Sequence, residues 1–278
     1  MTSLVAGLIG SHIQNTRLPG ALKLLCGEAG IGFSFELMDT ADLPAFDFNA
    51  SVDALKVRGW TGVTITHPWK THAAAYAGEW LRQSVRPLGA CNTLVFGPPL
   101  AGHNTDFTGF LSAWRWIMGD VAPGRVAMAG AGGVARALAG ALEVLGADDV
   151  AVWDIDPGKA EQLAGAFGPT VRPVSLNQVP QAVRNADGLV NATAIGMEHS
   201  PGMAFDESLI GSQQWAFDAI YTPTNTAFLQ CAQGAGLKCL TGFDLFCHMA
   251  VGTFEAYTGI APEKKSALRA FEQLRPPA

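Results

Sequence analysis

The chain has 278 residues, 49% of them hydrophobic and 15% charged, which is enough apolar material for two buried cores. A formal charge of −6, with no run of five or six like charges, argues against a nucleic-acid or anionic-membrane surface. The N-terminus lacks a basic segment before its apolar run and does not read as a signal peptide, no stretch is apolar enough for a membrane span, and five cysteines without Cys-x-x-Cys spacing predict reduced thiols in a cytoplasmic protein.

Strand-like runs at 4–10, 33–39, 60–66 and 90–96 alternate with helix-like segments at 18–30 and 51–58. That alternation predicts a mostly parallel sheet covered by helices. Past HNTD (103–106) the pattern shifts to a helix carrying Trp114 and Trp116, and after the turn at 122–125 a second α/β series begins. Its expected strands are 125–130, 149–154, 188–193 and 215–221, and two helices, 243–258 and 262–274, close the chain. The expectation is two α/β units, 1–105 with 245–278, and 106–244. The tryptophans at 114, 116, 153 and 215 are expected in the core or at domain contacts.

In AMAGAGGVARALAG (127–140) a strand runs into Gly130-Ala131-Gly132-Gly133-Val134-Ala135 and then into an apolar helix. Gly130, Gly132 and Ala135 fit G-x-G-x-x-G/A, which allows a tight turn, close approach of backbone to a pyrophosphate, and close helix–strand packing. The helix N-terminus adds free N–H groups and partial positive charge. The next strand ends at Asp154. A carboxylate there accepts the ribose hydroxyls of NAD and repels the 2′-phosphate of NADP, and 153–160 holds no arginine to meet an extra phosphate. Asp156 is a second candidate for that role. The blander alternative is a structural turn followed by a solvated acidic loop.

GVTITHPWK (62–70) is a β-branched strand that a proline stops shortly before Lys70. Open α/β sheets place ligands past the C-terminal ends of their strands. Oxidising a secondary alcohol requires a group to take the hydroxyl proton and hold the oxygen, and a lysine beside a carboxylate does both. Asp106 is the best partner. Spacing alone leaves open a solvated lysine at a helix start and an aspartate acting as an N-cap. His67 with His72, and Cys239 with Cys247 and His248, lack the clustering a metal site needs, so no metal is expected.

The ordered set TITHPWK, GACNT, GHNTDFTGF, GAGGVARA, NAT and D-x-x-Y-x-P-x-x-T (218–226) resembles shikimate and quinate/shikimate dehydrogenases over nearly the whole chain. The resemblance implies a substrate-binding α/β domain (1–105 plus 245–278), a Rossmann-like NAD(P)-binding domain (106–244) and a cleft between them. It implies proton transfer by Lys70 and Asp106, and substrate contacts from Thr16, Thr66, Asn92, Tyr221 and Met249. Cofactor contacts are implied for Gly130, Ala131, Gly132, Gly133, Val134, Asp154, Asn191, Thr193 and Gly242, with NAD preferred to NADP. The implied reaction is reversible hydride transfer between a hydroxylated ring carboxylate, such as shikimate or quinate, and nicotinamide, in a cytoplasmic monomer or homodimer. A dinucleotide-binding regulator without turnover is the rival class, and the intact Lys70 and Asp106 argue against it.

Three positions depart from the family. Its Ser-x-Ser-Pro or Ser-x-Thr-Pro is here Thr16-Arg17-Leu18-Pro19, its strand asparagine is Thr64, and its glutamine is Met249. An unpartnered buried polar group costs about 1–3 kcal/mol, so two such losses weaken shikimate ~100-fold or more. Arg17, His12 and His248 are the candidates to compensate. The expectation is retained chemistry with an altered ring, a less polar or aminated alcohol being the alternative substrate.

Overall fold

A computed structural model of the chain describes residues 1–276. It divides into two compact units: Met1–Gly109 with Cys247–Leu274, and Phe110–Phe246 with Arg275 and Pro276.

The first unit contains β1 (Ser3–Gly10), α1 (Leu18–Ala29), β2 (Gly32–Asp39), α2 (Phe48–Val57), β3 (Gly62–Ile65), α3 (Lys70–Ala77), β4 (Thr93–Val95), β5 (Ala101–His103) and the start of α4 (Thr105–Ile117). Its sheet runs β2-β1-β3-β4-β5. β1 is parallel to β2 and β3, but β4 is antiparallel to both neighbours, so this sheet is mixed rather than mostly parallel. The β4–β5 connection is only five residues, and a link that short joins antiparallel strands.

Local chemistry sets the ends of these helices. Pro19 sits in the first turn of α1 and Gly30 terminates it in the left-handed region (φ 67°). Asp47 accepts from Ala50 N at 3.0 Å, which starts α2 at Phe48, three residues before the expected 51–58. The core packs Ile9, Val52, Leu55, Val63, Ile65 and Leu94 around Trp60. Gly7 is required there, because a Cβ would lie 2.6 Å from both the Trp60 ring and Glu36 O.

The second unit contains β6 (Arg125–Ala129), α5 (Gly133–Val144), β7 (Asp149–Trp153), α6 (Pro157–Phe167), β8 (Val171–Pro173), α7 (Val179–Asn185), β9 (Gly188–Asn191), β10 (Trp215–Asp218), α8 (Ala227–Gly234) and β11 (Lys238–Leu240). All six strands are parallel, in the order β11-β10-β9-β6-β7-β8. The chain winds outward from β6 through β8, then returns to β9 on the other side. Strand order therefore reverses between β6 and β9, which in this doubly wound arrangement marks the ligand crevice.

Helix α9 (Gly242–Thr258) starts in the second unit and ends in the first, where α10 (Lys264–Phe271) packs on α1. Within the second unit Trp114 meets Trp215 edge-on at 4.8 Å and Phe110 meets Phe217 at 4.9 Å. Trp116 departs from the core expectation and is 53% exposed, because two residues along a helix turn the side chain roughly 200° around the axis. Among the described residues no helix is long and apolar enough to cross a membrane.

Candidate active site

Strand β3 is buried along its whole length, and Thr66 continues its pairing by bonding Ile9 O at 2.9 Å. Lys70 then opens α3, its carbonyl fixed by Cys91 N at 2.9 Å. Lys70 Nζ donates to Asp106 Oδ2 at 2.6 Å. Asp106 is not the helix cap. Asn104 fills that role, with Oδ1 accepting from Phe107 N at 3.0 Å and its amide donating to Ala90 O, which leaves Asp106 free in the first turn for the lysine.

Shielding separates this ion pair from the rest. Its side chains are 14% and 13% exposed, whereas each other ion pair among the described residues has a partner about half exposed. Exposed pairs contribute about 0–1 kcal/mol and need no function. A pair withdrawn from water but reachable from it keeps a stronger mutual field and suits proton handling.

Asn92 lies beside the pair. Its Oδ1 accepts from Thr105 N (2.7 Å), Thr105 Oγ1 and Thr93 Oγ1, and among the described residues its amide nitrogen has no partner. Thr105 Oγ1 is also 2.9 Å from Thr253 Oγ1, and Thr253 bonds Met249 O at 2.9 Å. Met249 packs on α4 one turn past Asp106, where a Cβ at Gly109 would come 2.8 Å from Met249 N. Thr66, Lys70, Asp106, Asn92 and Met249 thus belong to one connected region of the first unit.

Thr16 follows β1, and its hydroxyl oxygen accepts from Leu18 N at 3.4 Å. Arg17 is half-buried, with Nε shielded from water and without a partner among the described residues. Leu18 turns into the core at 2% exposure, so the departure at this position is a packing residue. The Thr64 hydroxyl is taken by buried Tyr257 at 2.7 Å. Of the candidates to compensate, His12 is exposed, while His248 is buried, which pushes its pKa down to about 4.

The remaining candidates lie in the second unit. Gly130 directly follows β6 at φ 94°, and a Cβ there would lie 2.8 Å from Ala192 O, so the first glycine is required by both conformation and space. Gly132 precedes α5 with open space beside it and no side chain capping the helix, which leaves the N–H groups of Gly133 and Val134 available at the helix start. Asp154 Oδ2 accepts from Ala131 N at 2.9 Å and Oδ1 from Asp156 N at 3.0 Å, tying the end of β7 to the loop. Asn191 ends β9 and its Oδ1 accepts from Thr193 N and Thr193 Oγ1 at 3.0 and 2.7 Å. Tyr221 stacks on Phe246 at 5.5 Å, and Gly242 is pressed against the backbone at 219–220. Cys239 belongs to this unit and Cys247 and His248 to the other.

Two further carboxylates support these loops, Asp39 outside every motif and Asp218 as the first residue of D-x-x-Y-x-P-x-x-T (218–226). Asp39 accepts from the backbone of His12, Ile13 and Ala41 and so holds the loop that leads to Thr16. Asp218 gathers three donors at the end of β10. An acidic residue at a strand's C-terminal end was the available signal for both.

A family model described as the shikimate dehydrogenase substrate binding domain matches residues 8–94. The quinate/shikimate dehydrogenase (NAD(+)) of Corynebacterium efficiens is 34% identical over 270 residues, covering 94% of this chain and 95% of that protein. Quinate dehydrogenase from Corynebacterium glutamicum in complex with NAD superposes with a TM-score of 0.90 at 30% identity, covering 98% of this chain and 99% of that one. Shikimate 5-dehydrogenase from Thermus thermophilus, in complex with NADP(H) and shikimate, gives 0.85 at 31% identity, with 97% and 99% covered.

Proposed function

The chain belongs to the shikimate/quinate dehydrogenase family, and on that premise we propose that it oxidises a ring secondary alcohol of a hydroxylated cyclohexane or cyclohexene carboxylate, reversibly and with NAD. The observation that carries this reading is the shielded Lys70–Asp106 pair past the end of β3. The Lys70–Asp106 pair takes the proton from the substrate hydroxyl and holds the oxygen as charge develops. The carbinol hydrogen departs with its electron pair as the carbonyl forms, and bound NAD supplies the acceptor for that hydride. In the reverse direction the pair returns the proton to the carbonyl oxygen.

The Asn92 amide and Thr66 hydroxyl are assigned to ring hydroxyls, with Tyr221 and Met249 completing the substrate contacts. Thr16 and Arg17, whose Nε has no partner among the described residues, are assigned to the carboxylate, a guanidinium being a strong partner for one. Gly130 to Val134 suit a pyrophosphate, because the turn leaves no room for a Cβ at Gly130 and free N–H groups at the start of α5. Asp154, the 191–193 turn and Gly242 complete the cofactor contacts. Asp154 retains lone pairs beyond its two backbone donors, and its charge favours NAD over NADP.

A second reading keeps the chemistry and changes the ring. Thr64 is satisfied by Tyr257 and Met249 presents a thioether, so fewer ring hydroxyls find donors and a less polar or aminated alcohol is favoured. The protein is proposed to act in the cytoplasm as a monomer or homodimer. The test is oxidation of shikimate, quinate and their aminated and less hydroxylated analogues by the purified protein with NAD. Turnover of at least one ring carboxylate is expected. Tight NAD binding without turnover of any would instead favour a regulator.

A further inference from the structure

Among the described residues, Asp218 is the only carboxylate that is fully buried. Its Oδ1 accepts from Asn191 Nδ2 and from Ile220 N, each at 3.0 Å, and its Oδ2 accepts from Thr226 Oγ1 at 2.6 Å. Each donor belongs to a different stretch of chain. Asn191 closes β9 and holds the 191–193 turn, which lies against Gly130. Ile220 immediately precedes Tyr221. Thr226 starts α8 and its oxygen accepts from Leu229 N at 3.2 Å, so its one proton is committed to Asp218.

We propose that Asp218 is a positioning residue that locks the 191–193 turn and the Tyr221 turn into one arrangement, so that NAD affinity depends on its two acceptor oxygens. The proposal rests on the NAD-dependent reading above and adds a residue that touches neither substrate nor cofactor. Burial raises the Asp218 pKa, while the Thr226, Ile220 and Asn191 hydrogen bonds oppose the rise. Among the described residues the carboxylate accepts three hydrogen bonds and donates none, so an amide, with one acceptor oxygen and no charge, keeps fewer of them in either orientation. With its oxygen toward Asn191 and Ile220 its NH2 faces the committed Thr226 hydroxyl, and flipped it faces two N–H groups.

The experiment uses the full-length protein, with far-UV circular dichroism to verify folding, NAD affinity by calorimetry, and steady-state kinetics over a pH range. Asp218→Asn is expected to weaken NAD about ten-fold, the worth of one or two hydrogen bonds. It should raise the KM for the alcohol while leaving kcat at saturation and the pH profile close to native, because Lys70 and Asp106 are untouched. Thr226→Val should weaken NAD in the same direction and Thr226→Ser, which keeps the hydroxyl, should restore it. A purely structural role would lower Tm while the folded fraction bound NAD normally, and that result overturns the proposal. If Asp218→Asn does not fold, equal NAD affinity in the two Thr226 variants overturns it. A native protein that binds no NAD overturns the dehydrogenase reading and this assignment together, whereas native binding with unaffected variants overturns this assignment alone.

Discussion

The first unit carries its candidate chemistry on side chains and the second carries it on backbone. In the first, Lys70 and Asp106 meet across 36 residues of chain, Asn92 and Thr105 across 13, and Thr16 bonds Leu18 N, and a site built from side chains is free to change residue by residue on one backbone. Leu18, Thr64 and Met249 illustrate that freedom, since all three sit in intact packing or satisfied hydrogen bonds. In the second unit the proposed anion site is built from amide groups and from the missing Cβ of Gly130. A backbone site of this kind tolerates little change. The expectation is a cofactor half that keeps its ligand class and a substrate half that drifts.

The largest expected effect tests the side-chain half. Lys70→Ala and Asp106→Ala should each reduce kcat by ~10²–10⁴-fold, the usual contribution of an acid–base group. Calorimetric NAD affinity should stay near native, because neither residue belongs to the glycine loop. Near-native turnover in Lys70→Ala would remove the lysine from its role.

The backbone half is broken at Gly130. Gly130→Ala introduces a Cβ 2.8 Å from Ala192 O at a positive φ, strain and overpacking worth about 2–4 kcal/mol together. A lower Tm and a marked loss of NAD affinity are expected, with differential scanning calorimetry and titration as the readouts. Native values for both would mean that the loop relaxes freely and does not define the site.

Asp154 mixes the two modes, because one carboxylate both anchors Ala131 N and faces the proposed ribose site. Asp154→Ala should weaken NAD and NADP alike by releasing the loop, and NAD more, narrowing their affinity ratio about ten-fold, or roughly 1.4 kcal/mol. An unchanged ratio would confine Asp154 to anchoring.

The smallest effect concerns substrate choice. Met249→Gln should raise kcat/KM for shikimate by several-fold to about ten-fold, one neutral hydrogen bond. Leu18→Ser should instead cost stability, about 2–5 kcal/mol for emptying a buried leucine site, without a matching kinetic gain. A kinetic gain from Leu18→Ser at unchanged Tm would show that position 18 reaches the ligand after all.

By itself the sequence determined the elements whose signal is local. The glycine turn after an apolar strand, the acidic end of β7, the strand that precedes Lys70 and the family motifs in order are all legible because each depends on neighbours in the chain. Tertiary structure decided the rest. Strands β5, β8 and β11, three residues each, are too short to show a period and exist because a neighbouring strand offers hydrogen bonds. The antiparallel placement of β4 follows from its partners, and Asn104 rather than Asp106 caps α4 because Ala90 O meets its amide. Leu18 faces inward since α1 must bury that side, and Asp218 becomes a junction only when residues 191, 220 and 226 converge on it. Contacts between distant residues depend on which faces the packing brings together, and no local pattern specifies that.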